Sequence, residues 1–213
     1  MLTSILVFLG LARSTMTLSL PVVFFLSGGV ALVYQVVWQR ILFANFGLDV
    51  LSTTFVVSAF MLGLGAGGLV GGALSRKLPG LAVTLFALTE LGLGIFGLSS
   101  IYLFHVTAAM AVGASHAMTG LISFGLLLIP TALMGATLPL LVGYATSINQ
   151  NVGQSVSWLY FANTLGCAVG AYFAVEVLFQ ITGLSGAVKM MAFINLSLGA
   201  YVVVYARART RAV

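Results

Sequence analysis

The stretch Phe60-Met-Leu-Gly-Leu-Gly-Ala-Gly-Gly-Leu-Val-Gly-Gly-Ala-Leu-Ser-Arg76-Lys77 decides the fold. It is apolar, yet six of its residues are glycine. Gly63, Gly67 and Gly71 recur every four residues, as do Gly68 and Gly72, so on a helix they align into stripes where a second backbone can approach closely. In water each glycine would cost a helix about 1 kcal/mol relative to alanine. In a bilayer the backbone has no competing partner, so the helix persists and the glycines become a packing face. Ser75-Arg76-Lys77 and then Leu78-Pro79-Gly80 end the helix at an aqueous, cytoplasmic surface. The stretch predicts an all-α, polytopic integral membrane helix bundle.

Composition extends that reading to the whole chain. Of 213 residues 61% are hydrophobic and 5% charged, where a soluble domain carries roughly a quarter of its residues charged. The net charge of +5 does not imply nucleic acid, because the basic residues are dispersed or sit at helix ends and form no aromatic-interleaved patch. Cys167 is the single cysteine, so the chain holds no intrachain disulfide and no cysteine-based metal framework.

Outward from the glycine helix, six spans are expected: about 18–43, 51–75, 81–104, 120–144, 156–179 and 185–205. Residues 1–16 form a short apolar segment, too short to cross a core of about 30 Å alone. It is compatible with an interfacial helix, an extension of the first span, or an over-long start with Met16 as initiator. A cleaved signal peptide fits worst, since no positive region precedes the apolar run. Val106 to Thr119 reads as an outer loop with partial helix, and Ser147 to Ser155 as a turn. The six-span domain thus covers 17–206, and 207–213 is a basic tail. With both termini in the cytoplasm, six basic residues (Arg13, Arg76, Lys77, Arg207, Arg209, Arg211) face inward and two (Arg40, Lys189) outward.

Few polar residues lie at membrane depth. Glu90 falls about nine residues into the third span, roughly 14 Å deep by helical rise, and Asn163 comes out at a similar depth, so a hydrogen bond between them is expected. With Gln35 and Tyr34 of the first span they form the candidate polar or ion site, read either as a proton or cation site or as polar glue between helices. Glu176 and Lys189 are expected to pair near the outer interface, closing the hairpin of the last two spans. Arg40 is an outer-interface charge with a lipid headgroup, Asp49 or a partner protein as possible counterparts. His105 and His116, eleven residues apart with no carboxylate between them, make no metal motif, and no metal or cofactor is expected. Pro130 and Pro139 should kink the fourth span, with Thr131 or Thr137 satisfying freed carbonyls. Gly166 and Gly170 repeat the packing spacing of the second span.

Four blocks in order resemble the membrane part of bacterial spermidine synthase-like proteins. They are Leu26-Ser-Gly-Gly-Val-Ala-Leu-Val-Tyr-Gln-Val-Val-Trp-Gln-Arg-Ile-Leu42, Ala59-Phe-Met-Leu-Gly-Leu-Gly-Ala-Gly-Gly68, Pro130-Thr-Ala-Leu-Met-Gly-Ala-Thr-Leu-Pro-Leu-Leu141 and Asn163-Thr-Leu-Gly-Cys-Ala-Val-Gly-Ala171. The resemblance implies a multi-span region related to the major facilitator fold. It matches Tyr34, Gln35, Trp38, Arg40, Gly63, Glu90, Pro130, Met134, Gly135, Pro139, Asn163 and Gly166. Family members continue into a cytoplasmic aminopropyltransferase-like domain, so that chemistry is expected to lie outside this chain. Glu176 departs from the apolar, proline-ended run that the resemblance leads one to expect.

No Walker motif, paired acids or hydrophilic Ser/His/Asp constellation is present in the sequence. The expectation is a non-catalytic subunit of the bacterial inner membrane, anchor or accessory to a larger complex, with lipid and other membrane subunits or itself as partners. The alternatives are a half-size, facilitator-like transporter of a cationic or proton-coupled substrate acting as a dimer, and the membrane partner of a separately encoded spermidine synthase-like enzyme.

Overall fold

The structure, a computed structural model, describes residues 2–46, 50–110, 116–149 and 151–210, with side chains placed within 20–44, 53–109, 120–147 and 151–204 and at Met118. The described residues are helical almost throughout and contain no strand. The helices are α1 (Leu2–Phe46), α2 (Val50–Lys77), α3 (Ala82–Met110), α4 (His116–Asn149), α5 (Val152–Phe173) and α6 (Phe179–Thr210). A 3₁₀ turn, Pro79–Leu81, joins α2 to α3, and a π-helical turn, Ala174–Leu178, leads from α5 into α6. Helix α1 is continuous from Leu2, so no break marks the expected boundary near residue 16. Of the loop expected over 106–119, the first part continues α3 to Met110 and the last opens α4 at His116; residues 111–115 lie outside the described residues. Asn151 caps α5, its side chain accepting from the Gln154 N–H at 3.0 Å.

Five helical stretches are long and apolar enough to cross a membrane: Leu20–Ala44, Thr53–Lys77, Pro79–Ala109, Gly120–Ser147 and Val152–Val204. The last, 53 residues long, is broken at Gly183, whose φ of 64° and ψ of −179° are open in practice to glycine alone. Ala174 and Leu178 before the break share an apolar cluster with Ala187 and Met191 after it, while Leu159 and Val202 share a second cluster at the other end of the bundle. The two arms therefore run antiparallel.

Helix contacts disclose an internal repeat. A methyl group at Gly94 would meet the Leu196 side chain and the Ala192 carbonyl oxygen, and one at Gly199 would meet the Leu91 side chain and the Ala87 carbonyl oxygen, at matching distances. All three pairs, Gly94/Gly199, Leu91/Leu196 and Ala87/Ala192, differ by 105 in number. In the same way Gly67 and Gly71 abut the backbone of Ala132 and Ala136 on α4 as Gly166 and Gly170 abut Phe25 and Gly29 on α1. Gly135 lies against Leu64 as Gly28 lies against Asn163. Helices α1–α3 and α4–α6 are thus two copies of one three-helix unit related by a pseudo-twofold axis through the α3/α6 contact. Ser27 and Trp38 of α1 bond Glu90 and Ser100 of α3, so α1 and α3 run together, and the rotation reverses the direction of the second unit.

The closest pairings, α2 with α4, α1 with α5 and α3 with α6, each join one helix from either unit. Small residues permit them. A side chain at Gly63, Gly67 or Gly71 would collide with α4, and at Gly166 or Gly170 with α1; at Gly68 and Gly72 a methyl group would make only ordinary van der Waals contact, with Gly135, Arg76 and Pro139. Helix α4 accommodates Pro130 and Pro139 without interruption, but Thr131 donates to the Leu127 carbonyl and Thr137 to that of Met134, each at 2.7 Å, and not to the Leu126 and Gly135 carbonyls that the prolines free.

Candidate functional site

At the middle of the bundle α3 carries Glu90, fully buried, and α6 carries Asn195 at the repeat-equivalent position, 1% exposed. The Ser27 hydroxyl of α1 donates to Glu90 Oε1 at 2.5 Å. Two turns along α1, Tyr34 stacks on Trp38 at 4.7 Å, and Trp38 Nε1 donates to Ser100 at 3.1 Å, which fixes both rings. Gly97 of α3 leaves room for the Tyr34 hydroxyl, which points into the neighbourhood of Glu90 and Asn195. Among the described residues, Glu90 Oε2, Asn195 Oδ1 and the Tyr34 hydroxyl are buried without a well-formed hydrogen bond, the Asn195 amide lying beside the Tyr34 oxygen. Orphaned buried polar groups cost about 1–3 kcal/mol each, so three in one place mark a site that something else completes.

Beside them lies a cavity of about 640 Å³ between the α1/α5 and α2/α4 pairs, on the pseudo-twofold axis. Ser27, Gln35, Thr137, Tyr160, Asn163 and Asn195 are its polar walls, and Phe24, Phe60, Leu93 and Met134 are among its apolar ones. Pro139 has no N–H, so the Gly135 carbonyl four residues earlier has no helical donor, and both residues line the cavity. No charged side chain lies in the lining; Glu90 stands one layer back, behind Ser27. The arrangement presents oxygen acceptors beside a buried acid in an otherwise apolar chamber. Such walls complement a ligand that brings N–H groups and an apolar body.

Of the candidate residues, Glu90 and Tyr34 meet at this centre, and Gln35 and Asn163 line the cavity next to it. The expected Glu90–Asn163 hydrogen bond does not form: Asn163 is turned to α1, where it packs on Gly28, and Ser27 takes the Glu90 oxygen. Glu176, within the π-helical turn, and Lys189 make no ion pair; both are exposed, and an exposed pair gains only about 0–1 kcal/mol. Arg40, also exposed, lies over the Phe179 ring at 4.9 Å, and Asp49, one counterpart considered for it, lies outside the described residues. His105 is exposed, the His116 side chain lies outside the described residues, and the described residues hold no group of three metal-ligating side chains. Cys167 lines the cavity and donates to the Gly28 carbonyl at 3.4 Å.

Asn195, Ser27, Thr137 and Tyr160 are site residues that depth arguments alone do not single out. The signal for Asn195 is the repeat itself: Ala82-Val83, Ala87, Leu91, Leu93-Gly94 recur as Ala187-Val188, Ala192, Leu196, Leu198-Gly199, which places Asn195 opposite Glu90. No protein-family model, curated protein or solved structure matches the chain, so the resemblance to the spermidine synthase-like membrane region rests on its four sequence blocks.

Proposed function

We propose that this chain is a non-catalytic integral membrane protein of six crossings, with both termini cytoplasmic, that binds a small amphipathic cation at the Glu90 centre and passes it across the bacterial inner membrane. The observation that carries this reading is the convergence of three orphaned buried groups, Glu90, Asn195 and Tyr34, beside a cavity with no basic residue in its lining. An acid at the middle of a span is retained only where it has a use, and an ammonium group supplies the donors these oxygens lack. The six crossings count the two arms on either side of Gly183 separately. Inverted repeats with a midplane site at their junction are a recurrent transporter plan, and a half-size unit would act as a dimer.

The test uses a primary alkylammonium as probe. Purified protein should bind radiolabelled hexylammonium saturably, and proteoliposomes should take it up; Glu90→Gln should weaken binding about 10- to 100-fold and cut uptake while the protein still assembles. Uptake by wild type and Glu90→Gln alike would refute the reading. A second reading, an accessory subunit of a larger membrane complex, draws on the exposed aromatic face of α5, Trp158, Phe161 and Tyr172. It predicts that the particle extracted in mild detergent carries other subunits in fixed ratio.

A further inference from the structure

The two repeat-related three-helix junctions carry different side chains. On the face of the first unit turned away from the central cavity, α2, α3 and α4 leave an open groove of about 310 Å³, lined among others by Gly67, Val70, Leu74, Leu88 and Ala132. Thr89, the polar side chain in its lining, already donates to the Phe86 carbonyl at 2.7 Å, so the groove offers nothing but apolar surface. In the register of the repeat, Leu74, Leu88 and Ala132 correspond to Phe173, Phe193 and Phe25. Where the α1/α5/α6 junction carries three phenylalanines, the α2/α3/α4 junction carries two leucines and an alanine. The side chains at the α2/α3/α4 junction, smaller at these three positions than their counterparts, leave the groove.

The groove also has a charged end. It runs along α2 from Ala66 to Leu74, about 12 Å at 1.5 Å per residue, close to the depth of one leaflet of a core of about 30 Å. Lys77 follows three residues after Leu74 and seven after Val70, on the same helix face, and is exposed. Arg76 turns the other way, toward Gly72 and Pro139. A twelve-ångström apolar trough capped by one free ammonium has the polarity of a phospholipid whose headgroup is anionic.

We propose that this groove is a binding site for one anionic phospholipid, its acyl chain lying between α2, α3 and α4 and its phosphate at Lys77. The acyl chain lies where the equivalent α1/α5/α6 junction carries Phe25, Phe173 and Phe193.

The test is native mass spectrometry of the protein purified with equimolar phosphatidylglycerol and phosphatidylcholine. Wild type should retain one phosphatidylglycerol in preference to phosphatidylcholine. Leu88→Phe combined with Ala132→Phe fills the groove with side chains the chain already uses at the equivalent positions, and the retained lipid should be lost while the lipid-free melting temperature is kept. Lys77→Gln should lower the preference for phosphatidylglycerol about fivefold and leave total lipid retention in place. Retention of phosphatidylglycerol by the filled variant at the wild-type level overturns the proposal. Should the filled variant fail to fold, an unaltered lipid preference in Lys77→Gln overturns it on its own.

Discussion

Replacing Glu90 by glutamine should separate stability from binding, in opposite directions. An ionised side chain at the middle of a span costs about 2.5–3.5 kcal/mol on insertion scales. The hydrogen bond it receives from Ser27 at 2.5 Å returns about 1–2 kcal/mol, and Oε2 receives nothing. The carboxylate thus stands at a net deficit of about 0.5–2.5 kcal/mol by difference of those two figures. Glutamine preserves the shape and the acceptor toward Ser27, so the deficit disappears with the charge. For a chain of this size 1 kcal/mol moves the melting midpoint by about 2–4 °C, so Glu90→Gln should melt roughly 1–10 °C above wild type in detergent. Its affinity for hexylammonium should fall about 10- to 100-fold, the value of a charge-assisted hydrogen bond of about 1.5–3 kcal/mol. Fluorescence-monitored unfolding and equilibrium binding on the same preparation read both quantities. A variant that melts well below wild type would show the carboxylate to be structural glue, and one that binds as tightly as wild type would show that the charge does not contact the ligand; either result refutes the reasoning.

Gly67→Ala and Gly166→Ala, at equivalent contacts, should each destabilise by about 1–3 kcal/mol, because the new methyl group would strike a carbonyl oxygen of the neighbouring helix; Gly65→Ala, which faces open space, should not destabilise in the same melting assay. Cys167 lines the cavity, so a small methanethiosulfonate reagent should label this single thiol and saturating hexylammonium should slow the labelling; labelling at equal rates with and without ligand would place the ligand elsewhere. Gly183→Ala forces a left-handed φ of 64° on a residue with a Cβ and should lower stability by about 1–2 kcal/mol, measured by the same melts, with no clash to add since the position is open.

Fold class was legible because it depends on local quantities: hydropathy along the chain, charge at helix ends and glycine spacing in α2. Depth was legible too, since Glu90 can be located by counting residues from the end of its helix. Azimuth was not. Glu90 and Asn163 lie at comparable depth, but counting gives no angle about the helix axis, and Asn163 faces Gly28 while Glu90 faces Ser27. Glu176 and Lys189 fail to meet for the same reason, compounded by the π-helical turn and the break at Gly183, which alter the facing of every residue after them. The inverted repeat was present in the letters, most plainly as Ala82-Val83 against Ala187-Val188 and Leu93-Gly94 against Leu198-Gly199. It goes unnoticed in a linear reading because α1 and α4 keep few identities, and what they share is the room each leaves for a partner backbone.

That the closest helix pairings all cross between the two units has a consequence for how the protein is made. When Met110 has been synthesised, three hydrophobic helices are complete and none of their principal partners exists: α1 awaits α5, α2 awaits α4, α3 awaits α6. At about 5–20 residues per second, roughly 5–20 s pass before Val204 is added. Until α4 is made the glycine stripe of α2 lacks the backbone that covers it, and until α6 is made Glu90 has Ser27 of α1 beside it but not Asn195. A gene cut between the two units would yield fragments that are unstable singly and that assemble when produced together, provided each enters the bilayer with its own orientation.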